Sequence, residues 1–262
     1  MNIVVCIKQV PGTNKVEIDE QTGVMKRCSA EAKMNPYDLY AVETALYFKE
    51  KAGGSVKAVT MGPEQAVAMM KEAYMMGVDE GYVFSDRRFG GADVLATAYT
   101  LSQGIAALGE FDVIICGKQT TDGDTAQVGP ALAEYLDIPH VAWVKSILEI
   151  DKNYIIVEQE LGHITQVNKV GIPCLITVEK DIMTPRLPSY RLKIASKDRE
   201  VKVLNFSDFV DKDEYKYGLK GSATKVERTF APPAEGEKVY INGNFKEQCE
   251  GILNVLKTRK FV

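Results

Sequence analysis

The stretch FDVIICGKQTTDGDTAQVGPALAEYLD, residues 111–137, joins an apolar run to a helical pattern through a polar loop. An unbroken apolar run such as FDVIIC is typical of a strand that is buried on both faces of a parallel sheet. A strand that leads into a helix is the repeating unit of α/β proteins, and its free N–H groups often bind phosphate. The loop also contains Asp122 and Asp124. Their charge repels phosphate, so they need another role.

The same unit repeats through the first half of the chain. Apolar runs at 3–7, 56–62 and 81–85 alternate with helical patterns that begin at Pro36, Pro63 and Gly91. This alternation predicts an α/β fold with a doubly wound, mostly parallel sheet. After Pro139 the runs HVAWVKSILEI, NYIIVEQEL and IPCLITVE predict a β extension of that sheet.

Two segments depart from this alternation. VEIDEQTGVMK (16–26) predicts a β-hairpin insertion near residues 14–28. From Leu204 to Val262 we find little core-forming pattern except an amphipathic helix at 244–260. We therefore divide the chain into an α/β domain, residues 1–200, and an extended C-terminal arm, residues 201–262, that packs on a partner. A floppy tail is the alternative.

Composition excludes several functions. The net charge of −4 gives no basic surface for nucleic acid. Two histidines are too few for a His-built metal site, so we expect no metal. The five scattered cysteines form no C-x-x-C and indicate reduced thiols, and no signal peptide or membrane span is evident. We therefore expect a cytoplasmic protein.

In a doubly wound sheet, ligands bind beyond the carboxyl ends of the strands. The loops expected there are 8–12, 34–38, 61–63, 85–92 and 117–128. No G-x-G-x-x-G follows the first strand and no G-x-x-x-x-G-K-[ST] occurs, which disfavours ordinary dehydrogenases and P-loop proteins. We predict nucleotide binding, with backbone N–H groups and threonine hydroxyls taking the phosphate. One of Asp122 and Asp124 then caps the helix, and the other binds ribose or adenine.

SDRRFGGAD (85–93) is a second candidate site, because two arginines beside a Gly pair at a helix start suit a pyrophosphate. A solvated basic loop is the alternative. We expect His140 to be structural and Trp143 to lie in the core. No nucleophile–base–acid set stands out, so hydrolysis is unsupported.

Five motifs in order resemble the β subunit of electron transfer flavoproteins: IKQVPGT, MNPYDLYAVETAL, AVTMGPEQA, GKQTTDGDTAQVGP and TPRLPSY. They span nearly the whole chain. The resemblance implies that residues 1–200 bind a nucleotide and that the arm embraces an α subunit carrying one FAD. The β subunit carries AMP in ordinary members and a second FAD in the electron-bifurcating branch. Matched residue by residue, the resemblance places the nucleotide against Cys6, Asn35, Pro36, Tyr37, Asp38, Met61, Gly117, Lys118, Gln119, Thr120, Thr121, Asp122, Gly123, Asp124, Thr125, Ala126, Gln127 and Val128.

The loop favours the bifurcating branch. The AMP-binding members read DDDCNQ where this chain reads DGDTAQ, so Gly123 and Ala126 leave room for a larger ligand. SDRRFGGAD also resembles that branch, which implies FAD as cofactor and NADH as electron donor, with AMP as the alternative to FAD. The residues expected to hold the NADH pyrophosphate are Arg87, Arg88, Gly90 and Gly91.

In that branch NADH gives a hydride to the β FAD. One electron passes to ferredoxin or flavodoxin, and the other passes through the α FAD to a partner enzyme. That partner is a flavin-dependent acyl-CoA dehydrogenase or enoyl-CoA reductase, or a lactate dehydrogenase. The flavin performs the chemistry, so this chain is not expected to be catalytic alone.

The family also docks its acceptor dehydrogenase through a loop with a Leu before a Pro. TPRLPSY is shorter than the family pattern PRYATLPN, and Leu187 is the best match. Two alternatives stay open. One is a non-bifurcating carrier whose β subunit holds a structural AMP. The other is a stand-alone adenine-nucleotide-binding module of the stress-protein type.

Overall fold

A computed structural model describes residues 1–12, 32–227 and 239–262, together with the backbone of two short strands between the first two ranges. The strands are Asn2–Cys6 (β1), Gln9–Pro11 (β2), Glu17–Ile18 (β3), Met25–Lys26 (β4), Ala32–Met34 (β5), Ser55–Met61 (β6), Glu80–Phe84 (β7), Val113–Gly117 (β8), His140–Ile150 (β9), Tyr154–Leu161 (β10), Ile164–Gly171 (β11), Cys174–Val178 (β12) and Lys202–Leu204 (β13). The α-helices are Pro36–Ala52 (α1), Val67–Met76 (α2), Val94–Ala107 (α3), Val128–Tyr135 (α4), Tyr190–Ala195 (α5), Gly218–Gly221 (α6) and Phe245–Thr258 (α7).

A nine-stranded sheet organises the chain in the order β11-β10-β9-β12-β8-β1-β6-β7-β13. The strands from β9 to β13 in this order run parallel. β10 pairs antiparallel with β9, and β11 pairs antiparallel with β10, so the two strands extend the sheet as an antiparallel hairpin. The predicted α/β fold, with a mostly parallel sheet and a β extension, is therefore confirmed.

The order of the strands reverses at β1. From β1 the chain moves outward through α1 to β6 and β7, and then returns to place β8 on the other side of β1. Such a switch point opens a crevice between the carboxyl ends of the two central strands, because the following segments leave in opposite directions. The crevice lies beyond Cys6 of β1 and Gly117 of β8.

Helices cover both faces of the central strands. On one face, α1 and α2 pack through residues such as Val42 and Met70 against Ile3 and Ile115. On the other, Leu132 of α4 and the α3 residues join Val4 and Ile114 of the same two strands. Alternate residues of one strand therefore enter different cores, which is why β1 and β8 read as unbroken apolar runs.

The segment after residue 200 is partly core. β13 pairs with β7, and Phe206, Phe209 and Tyr217 are buried in the core on the α3 face. Phe89 stacks on Phe209, with ring centres 5.4 Å apart. The expected lack of core after Leu204 is wrong for this segment, because its aromatic residues are spaced irregularly and form no periodic pattern. The division into domain and arm stays a prediction.

Three features lie apart from the main sheet. β2 and β5 pair antiparallel in a two-stranded sheet of their own. β3 and β4 pair antiparallel, and the rest of the hairpin predicted near residues 14–28 lies outside the described residues. Against the described part of the chain, α7 buries none of its residues. Within the ranges that the structure describes, no helix is long and apolar enough to cross a membrane.

Candidate nucleotide site

The switch-point crevice gathers most of the residues predicted to bind a nucleotide. Cys6 ends β1, Gly117 ends β8, and Pro36, Tyr37 and Asp38 form the first turn of α1. Residues 118–127 form the loop between β8 and α4, and Val128 begins α4. Met61 ends β6, one strand further out, and is half-buried against the core on the α3 face.

Asp38 joins three segments of the crevice. One carboxyl oxygen accepts the backbone N–H of Lys8 at 2.6 Å, and the other accepts Nδ2 of Asn35 at 2.9 Å. The same Nδ2 donates to the carbonyl of Gln119 at 2.8 Å. Asn35 is fully buried and Asp38 nearly so. These side chains therefore fix the loops to each other and present little surface to a ligand.

Burial raises the pKa of Asp38 to about 7, against the opposing hydrogen bonds from Asn35 and Lys8. Gly117 is the reason that the carboxyl can sit so close to β8. A Cβ at Gly117 would lie 2.4 Å from Oδ1 of Asp38 and 2.8 Å from the carbonyl carbon of Tyr37. Only glycine lets the end of β8 approach the start of α1 this closely.

The two aspartates of the loop have partners other than the helix. Nζ of Lys8 binds Asp122 at 2.7 Å. Burial opposes this ion pair, but the hydrogen bonds from Lys8 and Gly123 outweigh it and lower the pKa of Asp122. Asp124 accepts the N–H of Ala126, which has a φ of 54°. The prediction that one of the two aspartates caps α4 is therefore wrong.

Gln127 occupies the N-cap position of α4 and provides no side-chain cap. The first N–H groups of this helix are therefore not capped by a side chain, and the nearby acids are paired elsewhere. The two aspartates of the loop therefore leave the N–H groups at the start of α4 available to a phosphate, despite their negative charge.

The residues present fit a phosphate-bearing nucleotide. Uncapped helix N–H groups and the hydroxyls of Thr121 and Thr125 supply donors, whereas the Thr120 hydroxyl donates to the carbonyl of Gly123. No atom lies within 4 Å of a Cβ placed on Gly123, so the loop is open there. The Oδ1 of Asn35 has no hydrogen-bond partner among the described residues, but it is a buried acceptor and does not belong to this donor set. AMP and FAD share the adenylate that this donor set suits.

Cys6 and Cys116 lie side by side on β1 and β8. The hydrogen bond with Cys6 and burial raise the pKa of Cys116 well above its usual value. Cys6 is half-buried against the core on the α3 face. The two side chains therefore lie at the floor of the crevice. The four described cysteines form no disulfide. Among the described side chains, no three His, Cys, Asp or Glu groups come together as a metal site.

The predicted pyrophosphate residues lie at the end of β7, three strand spacings or about 14 Å from β8. Arg87, Arg88 and Gly90 line a cavity of about 270 Å³ with Glu214. Gly91 adjoins it, and a Cβ placed on Gly91 would lie 3.4 Å from Cβ of Leu219. Nε of Arg88 binds Glu214 at 3.0 Å.

A carboxylate caps the N-terminus of α3. Asp93 is the N-cap of α3 and accepts the N–H of Ala96. It also accepts the backbone N–H and the hydroxyl of Thr224, which lies 131 residues later. The expected anion site at the Gly90–Asp93 helix start is therefore occupied by the protein itself. Both arginines are exposed, but Arg88 pairs with Asp86 and Glu214, whereas Arg87 forms no ion pair with the described side chains.

Trp143 does not belong to the core, contrary to expectation. It is half-buried and joins neither of the two core clusters formed by the described residues. Its backbone N–H donates to Oγ1 of Thr177 at 2.9 Å. Nζ of Lys118 lies 5.0 Å from the centre of its ring and also binds Glu179. The sequence offered one hint that this position is unusual, which is that Trp143 is the chain's single tryptophan.

Leu187 lies away from the crevice, on the face of the sheet covered by α1 and α2, and is 86% exposed. Arg186 anchors the segment by donating its backbone N–H, Nε and Nη2 to Glu43 of α1. Ser189 donates its backbone N–H to the carbonyl of Met75 in α2. The segment is fixed on both sides of an exposed leucine.

The fold agrees with the comparisons to known proteins. The electron transfer flavoprotein domain model matches residues 22–209. An electron transfer flavoprotein subunit beta of Thermoanaerobacterium thermosaccharolyticum is 43% identical over the full length of both chains. The chain belongs to the electron transfer flavoprotein β subunit family.

Two further family members have names that include an acceptor enzyme. The caffeyl-CoA reductase-Etf complex subunit CarD of Acetobacterium woodii is 42% identical, with 97% of this chain and 96% of the relative covered. The acryloyl-CoA reductase electron transfer subunit gamma of Anaerotignum propionicum is 37% identical over the full length of both. A β subunit of this family implies an α-subunit partner, and the family's name links it to electron transfer by a flavoprotein.

Proposed function

We propose that this chain is the β subunit of an electron-bifurcating electron transfer flavoprotein, and that its switch-point crevice binds FAD. In this proposal NADH is the hydride donor. The two electrons go separately to ferredoxin or flavodoxin and, through an FAD on the α subunit, to a partner dehydrogenase. The observation that carries the proposal is the open loop between β8 and α4.

The loop supports a dinucleotide because its side chains leave space. Gly123 faces open space, and Ala126 adds only a methyl group. Lys8 neutralises Asp122, so the uncapped start of α4 can receive a phosphate. A flavin bound there supplies the two-electron and one-electron chemistry. This chain's residues hold the ligand: the Asn35–Asp38 pair fixes the loops, and the start of α4 donates N–H groups.

For the nicotinamide donor we propose the cavity beside Arg87. Among the described side chains, Arg88 and Lys220 of this cavity pair with carboxylates, and Arg87 does not. Arg88 also stacks on Phe206 at 4.5 Å. In this proposal Arg87 is the arginine that meets the pyrophosphate, and Arg88 shapes the cavity wall. Gly90 and Gly91 keep the approach free of side chains.

For the acceptor, the names of the relatives favour an acyl-CoA reductase, and we propose that an enzyme of this class docks at Leu187. Tyr190 and Ile194 of α5 are also exposed and lie three and seven residues further on, close to one side of the helix. A flavin-dependent lactate dehydrogenase is the other partner that the resemblance allows. We also propose a cytoplasmic location.

A second candidate is a one-flavin carrier whose β site holds a structural AMP. The closed start of α3 favours it, because Asp93 fills the place where a second nucleotide's phosphate was expected. The match to the family over the whole length argues against the third alternative, a stand-alone adenine-nucleotide module.

Nucleotide content decides between the first two candidates. The chain is co-expressed with its α subunit, and the complex is purified without added flavin. The released nucleotides are then identified and counted. We expect two FAD per heterodimer. One FAD and one AMP would contradict bifurcation and establish the one-flavin carrier.

The Arg87→Gln variant tests the donor site in the same complex. We expect the KM for NADH to rise about tenfold in flavin reduction, since one charge-assisted contact is lost, with the FAD content unchanged. Arg88→Gln is the control: it removes the charge of an arginine that pairs with Asp86 and Glu214, so we expect a smaller rise in the KM for NADH. An unchanged KM for Arg87→Gln would remove NADH from this cavity.

A further inference from the structure

Trp143 has a backbone conformation that a large side chain rarely adopts. Its φ is 58°, within strand β9. A bulky residue in this region is a true outlier that persists only where the surroundings impose it. Such outliers concentrate at functional sites, so the position calls for a role beyond packing.

An irregularity in the sheet imposes this conformation. The register between β9 and β12 shifts between Ile176 and Val178, and Trp143 falls opposite the shift. Oγ1 of Thr177 accepts the Trp143 N–H at 2.9 Å, so the strained residue keeps a hydrogen bond. The bulge turns this residue out of the regular alternation of β9.

The strain is not offset by packing in the core. Trp143 is half-buried and stands outside both core clusters of the described residues. An indole side chain can bury a large apolar area, but the half-buried Trp143 leaves much of that area exposed. A cation, Nζ of Lys118, lies over the ring at 5.0 Å and is held by Glu179.

Two chains of contacts place Trp143 beside the loop between β8 and α4. Lys118 is the first loop residue after Gly117. At the other end of the loop, a Cβ on Gly129 of α4 would lie 2.5 Å from Cγ2 of Thr177, the residue that holds the Trp143 N–H. Trp143 therefore lies beside Lys118 at the start of this loop and is linked through Thr177 to Gly129 just after its end.

We propose that the ring of Trp143 is a wall of the nucleotide site and stacks on a planar ring of the bound nucleotide. This inference rests on the nucleotide site proposed above and adds a residue to it. The planar ring is adenine for AMP, and adenine or isoalloxazine for FAD. Lys118 and Glu179 are positioning residues that hold the indole at the edge of the loop.

The test measures nucleotide affinity in the full complex with the α subunit. The dissociation constants for AMP and for FAD are determined by calorimetry after bound nucleotide is removed. Trp143→Leu keeps apolar bulk but removes the aromatic face, and we expect binding about tenfold weaker. Trp143→Phe keeps a ring, and we expect binding within about threefold of wild type.

Tyr154→Leu is the matched control. Tyr154 is an aromatic residue of the same β extension with Lys169 over its ring at 3.5 Å, but it begins β10 and lies far from the loop. We expect wild-type affinity from it. Trp143→Gly covers the case in which Trp143→Leu does not fold, because glycine adopts this φ without strain. It too is expected to lose about tenfold in affinity.

The outcomes separate this inference from the proposed function. Weaker binding of both AMP and FAD assigns the ring to adenine, and weaker binding of FAD alone assigns it to isoalloxazine. Unchanged affinity for both overturns the inference, as does a loss of α-subunit association without any change in nucleotide affinity. If the wild-type complex holds AMP instead of FAD, bifurcation fails, but the stacking can still be measured with AMP.

Discussion

At the scale of single residues, Asp38 links the candidate site to pH. Its carboxyl is 5% exposed, and burial raises its pKa from 3.8 to about 7. Between these values the folded chain holds a proton that the unfolded chain has lost. Stability therefore falls as pH rises from about 4 to about 7 and does not change further above that range.

The Asp38→Asn variant isolates this effect, because other carboxyl groups titrate equally in both proteins. The unfolding free energy of wild type, minus that of Asp38→Asn, is expected to fall with rising pH between about 4 and 7. The total change is at most about 4 kcal/mol. Denaturant titrations of the complex at several pH values measure it. A difference that stays constant with pH would show that Asp38 ionises normally in the folded protein.

At the scale of elements, the segment between β12 and α5 is fixed to α1 by one residue. Arg186 binds both Glu43 and Glu50, but the Glu43 side chain is 12% exposed and that of Glu50 is 59% exposed. Charge-assisted hydrogen bonds in a buried setting contribute about 1.5–3 kcal/mol, whereas exposed ion pairs contribute little. Glu43 therefore holds the segment, and Glu50 adds little.

Amide hydrogen exchange tests this difference. In Glu43→Gln we expect exchange of residues 186–189 to become about tenfold faster, since about 1.4 kcal/mol of local stability is lost. The charge-matched control Glu50→Gln is expected to change it less than twofold. Equal effects in the two variants would mean that charge alone, and not the buried geometry, holds the exposed Leu187 in place.

The elements themselves were readable from the sequence, because each has a local signal. Pro36 at a helix start and the apolar run of β8 predicted their positions closely. The contacts that build the site were not readable, since they join residues far apart in the chain. Arg186 and Glu43 are 143 positions apart, and Asp93 and Thr224 are 131 apart. The local pattern of apolar and polar residues contains no information about such distant pairs.

The same reason explains two wrong expectations within the site. A capping aspartate is a local rule, but Lys8 lies 114 positions from Asp122 and competes for its carboxylate. The core assignment of Trp143 rested on residue type alone. Its register is set by Thr177 on β12, a strand that the chain reaches later and inserts between β8 and β9.

At the scale of the whole molecule, the main sheet has its apolar faces covered, whereas the apolar face of α7 is exposed. The sheet is covered on both faces by helices and by the segment that contains Phe206 and Tyr217. In contrast, α7 places Ile252 and Leu253 in solvent, 53% and 44% exposed. An apolar helix face that the described residues leave exposed is consistent with the α subunit that this family implies.

We therefore predict that α7 contributes to heterodimer formation through its apolar stripe. Ile252→Asp is expected to weaken association with the α subunit by about 2–4 kcal/mol, or about 30- to 1,000-fold in Kd. The mutated residue is already exposed, so the chain's own fold has little to lose. Asn254→Asp is the matched control, since it adds the same charge about 200° around the helix. Dilution-dependent dissociation of the purified complexes, followed by size-exclusion chromatography, gives both constants. Equal weakening by the two variants would assign the effect to charge, and no weakening by either would place the α subunit's contacts elsewhere than on α7.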